Sequence, residues 1–312
     1  MTGPPSHIAA RRARQREQRR RRRRIGVALT VAVIAAAGAL VAFAAAGHPR
    51  PRAQAHRALV AGLYPVRPRE SPQTARTPAE IHRLLALGLP IYCAGRRGNE
   101  VAFTFDDGPG VYTHYAITKL TEAHERATFF VVGKSINAWP GWLPRELKLG
   151  VIGDHTYTHP DLLGLSLGEV ASQLGQTAQL IHAQSGERVE LWRPPYGASN
   201  DAIERIAARL GLLEIRWDVD SRDSLGADWA QIIANVEAGL RPGTIVLMHE
   251  NRGQTIRALT TLLPYLHRHH LRSVTVPELL ASDPPTAAQL RQGITGCGEP
   301  AGLLRASALG GS

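Results

Sequence analysis

From Glu100 onward the chain alternates two kinds of segment. Short apolar runs, VAFTFDD, ATFFVVG, GVIGDHT, VELWRPP, LEIRWDVD, TIVLMHE and RSVTVPEL, have the length and the β-branched or aromatic content of strands. Between them THYAITKLTEAHE, LGEVASQLGQTAQLIHAQSG, DAIERIAARLG, DWAQIIANVEAGL and RGQTIRALTTLLPYLHRHH carry apolar residues at helical spacing. A shorter helical pattern, PAEIHRLLALG, precedes them, with Thr77 as its cap and Pro78 at its first position. Strand and helix in alternation predict a parallel sheet with helices outside it. Seven such strands predict a barrel-like sheet, with an open doubly wound sheet as the alternative.

The start of the chain has another pattern. Residues 25–46, IGVALTVAVIAAAGALVAFAAA, lack any charge, and a helix of that length crosses a bilayer core of about 30 Å. Residues 1–24 hold ten arginines against Glu17 alone, which is +9 of the formal +11 of the whole chain. The high net charge therefore describes one terminus and gives no ground for nucleic acid as a partner. Arginine clusters stay on the cytoplasmic side, so the chain beyond residue 46 is expected outside the membrane. The small residues of AFAAAG leave cleavage near residue 46 and secretion as the alternative to a retained anchor, and an Ala-rich buried helix as a further one. The proline- and arginine-rich stretch that follows reads as a linker. The expected organisation is a basic tail at 1–24, a transmembrane helix at 25–46, a linker at 47–92, a catalytic domain at 93–282 and a terminal tail at 283–312. Cys93 and Cys297 flank that domain, and thiols outside the cytoplasm oxidise, so they are expected to form one disulfide that ties its ends together.

Ligands of parallel α/β folds bind at the carboxyl ends of the strands. Asp106 and Asp107 end the first apolar run, His155 and His159 the third, Arg193 the fourth, Asp220 and Asp223 the fifth, and His249 the sixth. In HTYTHP the two histidines stand four apart, as in zinc proteases of the HExxH type. The glutamate that such a protease needs is Thr156 here, and Pro160 ends any helix, so a loop is expected. Two imidazoles and one carboxylate, Asp107, suffice for a catalytic divalent ion. Asp106 beside it suits a general base, and His249, oriented by Asp223, a general acid for a leaving amine. Arg193 can orient Asp106, and the backbone N–H of Tyr196 can stabilise an oxyanion.

Together TFDDGP, HTYTHP, RPPYG, DSRD and LMH, in this order, resemble the five motifs of the polysaccharide deacetylases, carbohydrate esterase family 4, also called the NodB homology domain. The resemblance covers about residues 98–282. It implies an α/β fold of the deformed (β/α)7-barrel type and metal-dependent removal of acetyl groups from N-acetylated sugars. It makes Asp106 the base, His249 the acid, Asp107, His155 and His159 the metal ligands, Arg193 and Asp223 the partners of Asp106 and His249, and Tyr196 the oxyanion donor. Leu247, with Pro194 and Trp217, is expected in the substrate pocket. Zinc is the expected ion, with cobalt or nickel accepted by the same ligands.

One position departs from the family. The tryptophan usual after the last aspartate of DSRD is Ser224 here, and Trp192, Trp217 or Trp229 is left to fill the space. Trp139 and Trp142 either pack a helix against the barrel or line a sugar-binding rim, and HRHH at 267–270 reads as a polar helix end. The expected partners are an acetylated glycan, from cell-wall peptidoglycan or chitin-like oligomers, and the membrane through the terminal helix. Oligomeric state is not encoded in these patterns. Esterase action on O-acetyl xylan is the rival chemistry, and a non-catalytic wall-binding module the rival of another class. Non-haem iron oxygenation is disfavoured because no His-x-Asp pair is present.

Overall fold

Eight strands, all paired in parallel, form one sheet in the computed structural model, which describes residues 72–298. The predicted span at 25–46 lies outside those residues, as do the basic tail and residues 299–312. Among the described residues no helix is long and apolar enough to cross a membrane.

Helix α1 (Pro72–Leu87) leads to β1 (Glu100–Gly108), α2 (Thr113–Glu122) and β2 (Ala127–Val131). Two short helices, α3 (Gly133–Ala138) and α4 (Leu143–Leu149), precede β3 (Gly150–Asp154), and α5 (Leu167–Ser185) leads to β4 (Leu191–Trp192). There follow α6 (Asp201–Arg209), β5 (Leu213–Glu214), β6 (Val219–Asp220), α7 (Trp229–Gly239), β7 (Ile245–His249) and α8 (Gly253–Arg268). Strand β8 (Arg272–Ser273), α9 (Val276–Ser282) and α10 (Ala287–Gln292) complete the order.

The sheet order is β5-β4-β3-β2-β1-β7-β6, with β8 paired to the start of β1. The two edge strands, β5 and β6, are consecutive in the chain and joined only by residues 215–218. In a flat sheet six steps of about 4.8 Å would set these edges roughly 29 Å apart. The link reaches about 18 Å at full extension. The sheet must therefore curl until its edges nearly meet, which gives a barrel with one seam and excludes the open doubly wound alternative. The segment before β1 fills that seam: Ile91 bridges Ile215 in parallel and Cys93 bridges Thr244 antiparallel. Cys93 is disulfide-bonded to Cys297 with Cα atoms 5.9 Å apart.

Strand periodicity sorts the side chains into two layers. Val101, Phe103 and Phe105 of β1, Phe129 of β2 and Val246 and Met248 of β7 face the outer helices. Ala102 of β1, Phe130 of β2 and Ile245 of β7 lie inside, with Ile81 and Leu84 of α1 and Leu279 and Leu280 of α9. By the same alternation Thr104, Asp106, Leu247 and His249 are inner-face residues.

Several sequence expectations need correction. The apolar run LEIRWDVD is two strands, β5 and β6, because the seam falls within it. RSVTVPEL contributes only the two residues of β8; a capping box between Thr275 and Glu278 then opens α9. Helix α1 starts at Pro72, earlier than Thr77. The folded unit also exceeds 93–282, since Leu290 of α10 is buried and Asp283 accepts two hydrogen bonds from the Arg97 side chain.

Candidate active site

Adjacent residues of a regular strand point to opposite faces, yet Asp106 and Asp107 both reach the mouth. The ladder between β1 and β2 shifts register between Asp106 and Gly108, so Asp107 is the extra residue of a bulge, at φ 70°. Positive φ in a non-glycine residue costs energy and marks places where geometry matters more than local comfort. Among the described residues seven non-glycines have it. Five of them, Asp107, Thr156, His159, Tyr196 and Arg222, lie in the loops around this mouth.

The HTYTHP loop is a loop, as its composition predicts, and it is tied from two sides. Gln173 of α5 accepts hydrogen bonds from the backbone N–H groups of Tyr157 (3.0 Å) and Thr158 (2.9 Å). Asp154 accepts from Thr156 N–H at 2.7 Å, and Thr156 Oγ1 accepts from His159 N–H at 3.1 Å. His155 and His159 are thereby brought to Asp107. Their Nε2 atoms stand 3.7 and 3.3 Å from its Oδ1, and one ligand atom from each of the three residues lies within 4.8 Å of the others. His155 Nδ1 is 2.7 Å from the Arg193 carbonyl, so it carries the proton and leaves the Nε2 lone pair facing Asp107. Burial also lowers the pKa of His155, which favours the neutral, ligating form over the charge that Asp106 and Asp107 encourage. The donor set, its spacing and its protonation fit a divalent cation. The second group, Cys93 and Cys297 with Asp218, is the disulfide and fits none.

Arg193 is wholly buried and uses its guanidinium in every direction. Nη1 donates to Asp106 Oδ1 at 2.7 Å and to Thr104 Oγ1 at 2.8 Å. Nε and Nη2 donate to the carbonyls of Ile215 and Arg216, each at 3.1 Å. Its plane lies over Phe130, 4.2 Å from the ring centre, with Trp217 at 5.5 Å. Asp106 Oδ2 is left facing His155 Nε2 at 3.6 Å.

On the adjacent strand His249 ends β7, in register with Asp106. Four donors converge on Asp223. His249 Nδ1 (2.6 Å) and Ser224 N–H (2.7 Å) reach Oδ1, and His249 N–H (2.7 Å) and the Thr255 hydroxyl (2.5 Å) reach Oδ2. Burial disfavours charge on His249, but the hydrogen bond and charge of Asp223, with Asp106 and Asp107 beyond, push its pKa up to about 9. The pKa of Asp223 is lowered: burial opposes its ionisation, but the hydrogen bonds and charge of His249 and the hydrogen bond of Thr255 outweigh it.

Leu247 and Pro194 are buried, and Trp217 packs against Gly197 in the RPPYG turn. Of the three candidate tryptophans only Trp217 is in the site. Trp192 is core, and Trp229 on α7 is covered by Arg257. Ser224 is exposed and brings no aromatic ring; beside it Leu225 is 78% exposed. Tyr196, also at positive φ, turns its ring edge to His159 at 4.8 Å. Asp220 caps the Arg222 N–H at 2.7 Å. In the outer wall, Trp142 stacks with Arg145 beside α4, Trp139 is exposed, and His267 of HRHH pairs with Glu125 at 2.8 Å.

Sequence reasoning missed Thr104, Gln173, Thr255 and Asn251, whose Nδ2 donates to Asp107 Oδ2 at 3.2 Å. It also missed Glu146 and Glu250, both fully buried. Two of these had a signal: Thr104 opens TFDDGP, and Glu250 directly follows the histidine of LMH.

The profile of the polysaccharide deacetylases matches residues 94–215. Over 186 residues, 59% of this chain, the sequence is 36% identical to the peptidoglycan-N-acetylglucosamine deacetylase PgdA of Listeria monocytogenes, of which that stretch covers 39%. The chain thus spans well under half the length of that relative. It is 32% identical to the peptidoglycan-N-acetylglucosamine deacetylase of Bacillus cereus, covering 58% of this chain and 68% of that protein. Among solved structures a pseudoenzyme of family CE4 from Bacillus anthracis superposes with a TM-score of 0.58 at 28% identity, covering 61% of this chain and 68% of the other. The matched residues, together with the curled parallel sheet and the clustered motifs, establish that this chain belongs to the polysaccharide deacetylase family, carbohydrate esterase family 4.

Proposed function

We propose that this chain is a metal-dependent hydrolase that removes the acetyl group of N-acetylglucosamine residues in cell-wall glycan. The observation that carries the reading is the gathering, at one mouth, of Asp106 and the Asp107–His155–His159 cluster with a His249 whose protonated form Asp223 favours. Asp107, His155 and His159 would hold the cation. When bound, a divalent ion such as zinc, cobalt or nickel supplies Lewis acidity toward water and the acetyl carbonyl; zinc is the expected one. Asp106, oriented by Arg193, accepts the proton of the attacking water. His249 gives its proton to the departing amine nitrogen, and Asp223 stabilises and orients the imidazolium. The Tyr196 N–H faces the oxyanion, and Leu247, Pro194 and Trp217 border the acetyl group.

The basic tail and uncharged segment at 25–46 support a placement in which the folded unit is anchored to the membrane and works outside it. Both named relatives act on peptidoglycan N-acetylglucosamine by their names, which supports that glycan over others.

The test is acetate release by the full chain, with zinc or with chelator, from N-acetylglucosamine oligomers, purified wall glycan and acetylated xylan. Metal-dependent release from the first two, abolished in Asp106→Asn, is expected. Release from xylan alone would transfer the reading to O-acetyl esters. No release from any, with glycan binding intact in Asp106→Asn, would make the chain a binding module.

A further inference from the structure

The carboxyl groups of Glu146 and Glu250 are fully buried and face each other, and the only other polar side chain acting on them as a donor is the Thr113 hydroxyl, beside Glu250. Glu146 lies on α4 and Glu250 directly follows His249. Two ionised carboxylates cannot share a dry site without a counter-charge. Burial moves both well above the usual carboxylate range; the charge of Glu250 adds to it for Glu146, whereas for Glu250 the hydrogen bonds to Thr113 and Glu146 oppose it and the charges of Asp107 and Asp106 add to it. A single shared proton accounts for the hydrogen bond between them and leaves one negative charge on the pair.

The place of this pair is more informative than its charge. Glu250 Oε1 occupies the volume that a Cβ on Gly108 would need, only 1.2 Å from its ideal position. Gly108 follows Asp107, the bulged residue, so the Glu250 carboxyl is the floor on which the turn rests. Glu250 N–H also donates to the Asp106 carbonyl at 3.3 Å, and the next side chain, Asn251, holds Asp107 Oδ2. Residues 249–251 thus cross the mouth as a strap under both aspartates.

We propose that Glu250, braced by Glu146, is a positioning residue that sets the Asp107–Gly108 bulge and thereby the geometry of the metal ligands. This rests on the reading of Asp107, His155 and His159 as the ligands. Nothing in it touches substrate, so its measure is metal affinity rather than turnover.

Zinc and cobalt affinities of the full chain, from competition with a chelating dye and from the cobalt absorption spectrum, test it. Glu250→Ala removes the floor and should weaken binding 10- to 100-fold, the range seen when outer partners of metal ligands are lost. Glu250→Asp keeps a carboxyl but withdraws it from Gly108, and should show a smaller loss with an altered cobalt spectrum. Glu250→Gln fills the same volume, and its amide N–H replaces the shared proton, so affinity within about threefold of wild type is expected. Wild-type affinity in both Glu250→Ala and Glu250→Asp would overturn the proposal, as would equal losses in Glu250→Gln and Glu250→Ala, or no metal binding by the wild type. Failure to release acetate with metal bound would instead sink the deacetylase reading and leave this series standing.

Discussion

Asp223→Asn is the sharpest test of the proton-donor arrangement. The carboxylate accepts four hydrogen bonds at 2.5–2.7 Å, two on each oxygen, and against burial it raises the His249 pKa to about 9 together with Asp106 and Asp107. Asparagine keeps the shape, loses the charge and turns one acceptor into a donor facing two donors. With that charge gone, only Asp106 and Asp107 oppose burial, and the His249 pKa should fall from about 9 toward the ordinary histidine value of about 6.5. A full return is roughly 3 kcal/mol of lost preference for the imidazolium. At that limit the protonated fraction at about pH 7.5 drops from nearly all to about one tenth, so protonation alone lowers turnover by up to about tenfold. The raised pKa also contributes stability. That contribution is full below about pH 6.5, the ordinary histidine value, and is lost as pH rises through about 9. Urea unfolding of wild type should therefore weaken between those limits, and the variant should lack that slope. The assay is the pH profile of kcat/KM for acetate release, read beside the urea midpoint at each pH. An alkaline limb at the same pH in variant and wild type would refute the assignment of His249 as the acid tuned by Asp223.

Other outcomes follow from the same geometry. Arg193→Leu leaves Asp106 buried without its cation, and a loss on the order of 3–5 kcal/mol is expected in urea unfolding, with acetate release abolished. His159→Ala should lower zinc affinity by orders of magnitude in dye competition and leave the far-ultraviolet dichroism unchanged, because its side chain is at the rim. Cys93→Ser with Cys297→Ser opens a loop of 204 residues, and an upper limit of about 5 kcal/mol from chain entropy should appear as a lower urea midpoint. Trp217→Ala removes a ring beside Arg193 and Gly197; it should raise KM more than it lowers kcat, whereas Trp229→Ala should change neither.

Much of the fold was legible because helical and strand periods differ and both are unbroken from β1 to α8. The seam was not, because LEIRWDVD is equally apolar on either side of residues 215–218, and only the pairing shows where the ladder stops. The site was legible through residue types that have few structural reasons to end strands, such as Asp106, His155 and His249. Asp107 was assigned from chemistry, although a regular strand would have turned it away. The bulge that corrects this leaves no sequence mark beyond Gly108 and Pro109. Gln173 and Thr255 were invisible because each sits within an ordinary helix pattern, and Glu146 because it stands in a short segment, LPRELKL, with no pattern of its own. Only the tertiary fold brings them to a loop, a carboxylate or a buried partner.

Arg193 has a second task in the sheet itself. Just past β5 the Ile215 N–H pairs with the Trp192 carbonyl of β4, so the Ile215 carbonyl faces β4, where Pro194 has no N–H to give, and the Arg193 guanidinium donates to it and to the Arg216 carbonyl instead. One side chain thus completes a ladder that a proline interrupts and holds Asp106 at the same time. Replacing Pro194 by a residue with an N–H would lengthen the ladder between β4 and β5 but occupy an acceptor that keeps Arg193 aimed at Asp106. In this chain the break in the ladder is part of what holds Asp106 in place, and a design that mended it would make a firmer sheet around a less firmly placed carboxylate.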